Sequence, residues 1–223
     1  MTHYREFLDE IKSCAEPAYS NFHKKLLNNN KINVLGVRVP ILRKLAKKYK
    51  GEVDNLLTFP DDFYEVTFIK LSAVALLDYE NFLARLDGCI QLIDNWATCD
   101  CFIPKCIAKH KEDFLPAIRE YAKREGEFEQ RFALTTLLHF YVEEKYLETI
   151  FAIVERCDTS KYYVHMAAAW LIAETLAKYY SRARDFLMDN SLDKKTHNKA
   201  IQKACESFRL SNNDKNYLKG IKR

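Results

Sequence analysis

Apolar residues recur every three to four positions along almost the whole of this chain, which predicts amphipathic helices rather than strands. Five segments share a crowded small and apolar face, and they are 64–77, 95–108, 128–141, 163–176 and 197–208. Their starts are separated by 31, 33, 35 and 34 residues, so a similar unit recurs along the chain. Second, shorter amphipathic stretches lie between them at 82–93, 114–121, 146–156 and 184–188. The pattern therefore predicts a repeating pair of helices.

A helix pair that recurs every ~35 residues is typical of an α-solenoid, in which each repeat packs on the next. The fixed Trp, Gly and Pro pattern of TPR repeats is missing from the sequence. We therefore predict an all-α fold of HEAT-like helix pairs, curved with a concave basic groove. Turn-forming residues stand where this scheme needs them, at Gly36, Pro40, Pro60 and Gly126. Because no low-complexity linker interrupts the sequence, we expect a single HEAT-like repeat domain over residues 1–223.

The composition agrees with helices and argues against insertion into a membrane. Gly and Pro occur only five times each, and charged residues make up 30% of the chain. No run of 18 apolar residues occurs, and the first six residues lack the apolar core of a secretory signal. We therefore expect a soluble, cytoplasmic protein.

Seven cysteines give an odd number without a C-x-x-C pair. Most of them stand in apolar helical patterns, where a free cysteine behaves as a small hydrophobic residue, and this usage suits a reducing compartment. The spacing of Cys99, Cys101, Cys106 and His110 matches none of the usual zinc sites. We therefore expect no metal site.

The segment 95–100, with the sequence NWATCD, is the most informative stretch of the chain. In a helix that begins at or before Trp96, the indole and the Asp100 carboxylate lie one turn apart on the same face. An aromatic ring beside an anion suits the binding of a cationic group. The alternatives are structural, since Asp100 or Thr98 also fits the N-cap of a later helix and Trp96 also fits a core position. Pro104 would kink a helix that continued through it.

The repeat length brings two further residues into register with this pair. With a repeat of 35 residues, Trp96 and Arg131 occupy equivalent positions in adjacent repeats, and Asp100 and Trp170 are separated by 70 residues. We expect all four side chains to point from consecutive parallel helices onto one concave surface. Taken singly, Arg131 also fits a solvated or salt-bridged helix residue, and Trp170 also fits packing between repeats.

Basic residues cluster near both ends of the predicted solenoid, although the formal net charge is only +4. No acidic residue stands between positions 38 and 50, and the last 30 residues carry only two acids. The candidate phosphate contacts in these clusters are Arg38, Arg43, Lys44, Lys47, Lys48, Lys195, Lys199 and Lys203. Such patches attract phosphate backbones in a salt-sensitive way, whereas the alternative is an ordinary solvated surface.

These residues resemble the HEAT-like-repeat DNA alkylation repair glycosylases of the AlkD type. The resemblance runs from Glu16 to the end of the helix that carries Trp170. Its most specific elements are the W-x-x-x-D motif of 96–100 followed by a proline, the QRFA of 130–133 and the AWLI of 169–172.

The resemblance implies a catalytic role for Asp100, with Trp96 and Trp170 against the DNA backbone at the lesion and Arg131 on a nearby phosphate. The expected activity is that of a monofunctional glycosylase, which excises N3- or N7-alkylated purines from duplex DNA without flipping the base into a pocket. We expect no metal or cofactor, and a monomer as the working state. Two other functions stay open, namely a catalytically inactive HEAT-repeat protein that binds bent or branched DNA, and a protein–protein scaffold.

Overall fold

The computed structural model describes residues 1–27, 29 and 31–223, which fold into α-helices joined by short turns. The residues so described include no β-strand, which confirms the prediction of an all-α protein. By their contacts they form two compact units, Met1–His110 and Lys111–Arg223. The single domain over residues 1–223 stays a prediction.

The first unit, Met1–His110, is built around a helix that its neighbours enclose. Its helices are α1 (Tyr4–Ser13), α2 (Pro17–Leu27), α3 (Val39–Tyr49), α4 (Val53–Leu57), α5 (Tyr64–Val74), α6 (Tyr79–Gln91) and α7 (Trp96–Cys101). Every residue of α5 from Tyr64 to Leu71 is buried, because α3, α4, α6 and α7 all pack against this helix. α5 therefore has no solvent-exposed face over this stretch, as is typical of an enclosed helix.

A buried carboxylate on α5 fixes the turn that leads into α3. Glu65 is fully buried, and its oxygens accept the backbone N–H groups of Leu35, Gly36 and Val37 at 2.9, 2.8 and 3.2 Å. Gly36 has a φ of +96°, and a Cβ there would lie 2.5 Å from the carbonyl oxygen of Glu16. Only glycine suits that position. The turn that the sequence predicts around this glycine is confirmed, and it determines where α3 and its basic residues begin.

The helical segment predicted over 95–108 is broken in two. α7 ends at Cys101, and after three non-helical residues a 3-10 turn spans Lys105–Lys109. Pro104 precedes that turn with a ψ of 100°, and it has no N–H to donate to the carbonyl of Asp100. The chain therefore leaves the helix completely instead of continuing as a kinked helix.

The second unit, Lys111–Arg223, consists of paired helices. They are α8 (Lys111–Tyr121), α9 (Glu127–Phe140), α10 (Leu147–Arg156), α11 (Tyr162–Lys178), α12 (Tyr180–Met188), α13 (Lys194–Glu206) and α14 (Asn212–Gly220). α11 packs against both α9 and α13, while α10 and α12 contact each other and pack on α9 and α11 respectively. The predicted segments 128–141, 163–176 and 197–208 correspond to α9, α11 and α13.

Hydrogen bonds between neighbouring pairs repeat with the spacing that the sequence predicts. Where α9 and α11 begin, the N–H of Tyr163 donates to the Glu127 carboxylate at 2.7 Å. Beyond their other ends, the Lys178 ammonium donates to the carbonyl of Val142 at 2.6 Å. Both bonds join residues 36 positions apart, so the two helices run parallel. The predicted repeat of helix pairs is therefore present in this unit.

Candidate functional site

α7 carries the W-x-x-x-D motif, and Asn95 fixes its start. The buried Asn95 side chain accepts the N–H of Thr98 at 2.9 Å, which makes Asn95 the N-cap. The helix therefore begins at Trp96, and Asp100 lies in its last turn. This arrangement excludes the alternative in which Thr98 or Asp100 is the N-cap of a later helix.

Trp96 and Asp100 share the outward face of α7. Both side chains are partly exposed, whereas residues 97–99 between them are buried. The indole N–H of Trp96 donates to the carbonyl oxygen of Leu26 at 3.2 Å, which ties the ring to the end of α2. The ring and the carboxylate therefore face solvent on one side of the helix, as the four-residue spacing predicts.

A guanidinium from α3 reaches the same end of α7. Burial raises the pKa of the Cys101 thiol, the positive charge of Arg43 lowers that pKa in part, and the negative charge of Asp100 raises it again. Arg43 and Asp100 therefore lie close to one sulfur atom. Arg43 is exposed, so a predicted phosphate contact and the predicted catalytic carboxylate are neighbours in this unit.

The other basic residues around α3 differ in how far their charge is already neutralised. Arg38 pairs with Glu16 through two hydrogen bonds of 2.9 and 2.8 Å, and Lys48 pairs with Glu10 at 2.6 Å. Both acids come from earlier helices or turns. The stretch 38–50 contains no acidic residue, but the fold brings these two acids beside its basic side chains. In the described part of the chain no ion pair engages the two remaining lysines of this cluster, Lys44 and Lys47.

In the second unit Trp170 lies partly exposed on α11, beside a cavity of about 270 Å³. Lys203 lines this cavity from α13, and Arg209 lines it from the turn after α13. The exposed ring of His139 on α9 meets the indole edge to face, with the ring centroids 6.4 Å apart. Trp170 is therefore not enclosed between helices, and the space beside it is bordered by these two cations together with two acids, Glu174 and Glu206.

Lys195, Lys199 and Lys203 form a row along α13. Because they are spaced by four residues, they follow each other at about 6 Å along the helix axis. Burial lowers the pKa of His165 on α11, and the positive charges of these three lysines lower it further. The lysine row therefore runs along the side of α13 that adjoins α11, the helix that carries Trp170.

Arg131 has an internal partner. Its side chain is only 5% exposed, and Nη1 donates to the carbonyl of Tyr163 at 2.7 Å while the guanidinium lies 5.7 Å from the centre of the Tyr163 ring. The side chain thereby joins α9 to the start of α11. The phosphate contact of Arg131 stays a prediction. Such a contact would have to use the small part of the side chain that is exposed.

The chain matches a known family over nearly all of its length. The profile of the family described as DNA alkylation repair enzymes aligns with residues 6–208 of the 223. The chain belongs to the DNA alkylation repair enzyme family. As a member of this family the protein is an enzyme with a role in DNA repair, and DNA is its partner. No curated protein matches the chain.

For this member of the DNA alkylation repair enzyme family, the predicted residues fall into two groups. Trp96, Asp100 and Arg43 are neighbours in the first unit, and Trp170 and Lys203 are neighbours in the second. That both groups face one concave surface stays a prediction.

None of the helices within residues 1–27, 29 and 31–223 has the length and apolarity that a membrane crossing requires. No three or more His, Cys, Asp or Glu side chains are grouped there in a way that would hold a metal ion.

Sequence reasoning missed several groups that complete these two arrangements. Asn95 directly precedes Trp96, and Asn at that place is an N-cap signal that the sequence does carry. The carbonyl of Leu26 has no signal, since every residue offers such an acceptor. Arg209 is one basic residue among several in the C-terminal tail, and no local pattern distinguishes it.

Proposed function

We propose that this protein is a monofunctional DNA glycosylase, which hydrolyses the N-glycosidic bond of N3- or N7-alkylated purines in duplex DNA. The observation that carries the proposal is the outward face that Trp96 and Asp100 share on α7. The family description, DNA alkylation repair enzyme, supports alkylated DNA as the class of substrate in this proposal.

The proposed reaction needs a fixed negative charge beside the sugar. A purine alkylated at N3 or N7 carries a formal positive charge, so it leaves readily with the electron pair of its bond to C1′. The deoxyribose then develops oxocarbenium character, and the Asp100 carboxylate stabilises that charge electrostatically. Water adds to C1′ and gives its proton to Asp100 or to solvent, which leaves an abasic site. No lysine attacks the sugar, so the strand stays intact.

The indoles and the basic residues bind the substrate in this proposal. Trp96 and Trp170 hold the sugar at the lesion and exclude water, and their π faces favour a cationic transition state. Arg43, Arg131 and the lysine row of α13 contact phosphates, which positions the duplex without reading its sequence. Because the reacting centre is the sugar, the base does not have to enter a pocket, and neither a metal nor a cofactor takes part.

Release of free base from methylated duplex DNA tests this proposal. The wild-type protein should release N7-methylguanine or N3-methyladenine, and Asp100→Asn should slow the release by at least ~100-fold while it still binds DNA. Asp9→Asn removes an exposed carboxylate of α1 and serves as the matched control, so it should keep full activity. An unchanged rate in Asp100→Asn would refute the catalytic assignment.

A catalytically inactive DNA-binding protein is the second candidate, because the lysine row of α13 accounts for DNA binding without requiring catalysis. Such a protein would bind duplex DNA with a strong dependence on salt and release no base. Bent and branched duplexes, tested beside a straight one, would reveal its preference. A protein–protein scaffold is less favoured, because it would enclose both Trp side chains between helices and both are partly exposed.

A further inference from the structure

The cavity beside Trp170 is bordered by an ion pair between two neighbouring repeats. Nη2 of Arg209 donates to the Glu174 carboxylate at 2.6 Å, and the two residues are 35 positions apart. Glu174 lies one helical turn after Trp170 on α11, so the pair brings the guanidinium to the same side of this helix as the indole. The backbone N–H of Arg209 donates to the Ser207 hydroxyl at 3.2 Å, which stabilises the turn that carries it.

Much of the Arg209 guanidinium is still available for a ligand. Its side chain is 53% exposed. Among the residues that the structure describes, only the Glu174 carboxylate accepts a hydrogen bond from the guanidinium, and it does so from Nη2. A guanidinium has five N–H donors, so most of them remain open. The Glu174 carboxylate thus restricts where the cation lies and leaves its outer edge for an anion.

A second cation lines the same cavity. Lys203 borders it from α13, and across the described residues this ammonium has no ion pair. The other acid of the lining, Glu206, accepts a hydrogen bond from the Gln202 side chain at 3.1 Å. That hydrogen bond comes from a neutral amide and leaves the charge of Glu206 in place, so the lining holds two acids and two bases. Lys203 and the outer edge of the Arg209 guanidinium are the cationic donors that it offers to an anion, and the partly exposed indole of Trp170 borders the same space.

We infer that this cavity binds one phosphodiester group of duplex DNA, with Arg209 and Lys203 on the phosphate and Trp170 on the adjoining sugar. Charge-assisted hydrogen bonds from a guanidinium are strong and directional, and an aromatic face suits the apolar side of a deoxyribose. This inference rests on the proposed function for the place of Trp170 at the DNA. Arg209 lies just beyond residues 6–208, so the family match assigns it no role.

The salt dependence of DNA binding tests this site, because each phosphate contact contributes about 0.9 to the slope of log K against log salt concentration. The probe is a fluorescein-labelled, undamaged duplex, and binding is followed by anisotropy between about 50 and 200 mM salt. Arg209→Ala should reduce the magnitude of the slope by about 0.9 and weaken binding roughly tenfold near 0.1 M salt. Arg209→Lys keeps the charge and should keep the slope.

Arg182 offers a matched control. It pairs with Glu148 at 2.5 Å across 34 residues, its side chain is 51% exposed, and it belongs to the layer of α10 and α12. Arg182→Ala removes the same charge from the same unit, so it should leave the slope unchanged. An equal fall in both variants would mean that net charge alone acts, and no fall in Arg209→Ala would overturn the inference.

Two safeguards keep the result interpretable. Arg209→Gln, which loses the charge but keeps a long polar side chain, replaces Arg209→Ala if thermal melting shows that the alanine variant does not fold. Base release is measured on the same preparations. Normal release with an unchanged slope refutes this site and leaves the proposed function standing, whereas a reduced slope without any base release supports the phosphate site and refutes the glycosylase.

Discussion

The indole N–H of Trp96 donates to the backbone carbonyl oxygen of Leu26 at 3.2 Å, although the two residues are 70 positions apart. Trp is an apolar plate with a single polar hydrogen, and this bond selects one orientation of a ring that is partly exposed. The acceptor belongs to the backbone near the end of α2, so substitution of the Leu26 side chain leaves it in place. The position of the ring beside Asp100 therefore depends on how α2 ends.

Trp96→Phe should remove the hydrogen bond to the Leu26 carbonyl while it keeps an aromatic ring, because Phe has no ring N–H. We expect the free energy of unfolding to fall by about 1 kcal/mol, and the rate of base release to fall roughly fivefold because the ring is no longer held in one orientation. Urea denaturation and the base-release assay measure the two effects. Trp96→Leu, which has no ring, should lose far more activity for a similar loss of stability. Equal rates in both variants would contradict a role for the plate.

Gly36→Ala should destabilise the first unit more than any other glycine substitution in it. A Cβ at this position, with φ at +96°, would lie 2.5 Å from the Glu16 carbonyl oxygen and 2.6 Å from the Ser20 nitrogen, and both are backbone atoms. We expect a loss of about 3 kcal/mol or more, from backbone strain together with the shift that relieves the contact. Gly88→Ala is the control, because it lies in α6 with nothing within 4 Å, and should gain about 0.5–1 kcal/mol. Chemical denaturation measures both.

The helices of the second unit could be predicted from the sequence because each repeats a crowded apolar face. The segment predicted at 128–141 lies one residue from α9 at either end, and 163–176 lies within α11. α13 begins three residues before the predicted position 197, because Asp193 caps it and its first turn is polar. A pattern of apolar positions predicts the part of a helix that packs against its neighbours. It does not predict a polar first turn, which has no packed face.

The candidate site could be predicted only where its geometry is local. Trp96 and Asp100 share a face because four residues separate them in one helix, and that follows from helical geometry alone. The pairing of Arg38 with Glu16 joins separate parts of the first unit, and no local pattern records it. The burial of Arg131 against the start of α11 is likewise decided by packing. The repeat length predicts which position Arg131 occupies in its repeat, but it does not predict which residues surround the side chain.

Asp193→Ala should reduce stability at neutral pH and much less in acid. Burial alone would raise the pKa of Asp193, but hydrogen bonds from Thr196 and Thr159 outweigh it and lower this pKa to about 2 from its ordinary 3.8. A carboxyl group whose pKa is lower in the folded state stabilises the fold above about pH 4, and this contribution is lost as the pH falls towards 2. We expect a loss of about 1 kcal/mol at pH 7, as for other N-cap residues.

Thermal or urea unfolding of both proteins from neutral pH to about pH 2 measures this difference. The two curves should approach each other below about pH 4, where the wild-type carboxylate takes up its proton. Asp189→Ala, which removes an exposed carboxylate from the end of α12, should follow the wild type throughout. A difference between Asp193→Ala and the wild type that stayed constant down to pH 2 would show that the charge of Asp193 is not what stabilises α13.

Neutralising the lysine row of α13 should weaken DNA binding without changing the fold. Replacing Lys195, Lys199 and Lys203 together by Gln removes three charges that lie about 6 Å apart along one side of the helix. If each contacts a phosphate, the salt slope should fall by about 2.7, whereas the loss of a merely solvated lysine leaves it unchanged. The control replaces three lysines of the C-terminal segment by Gln, namely Lys215, Lys219 and Lys222. Because both triple variants have the same net charge, an equal fall in slope would mean that DNA responds to overall charge and that the row is an ordinary solvated surface.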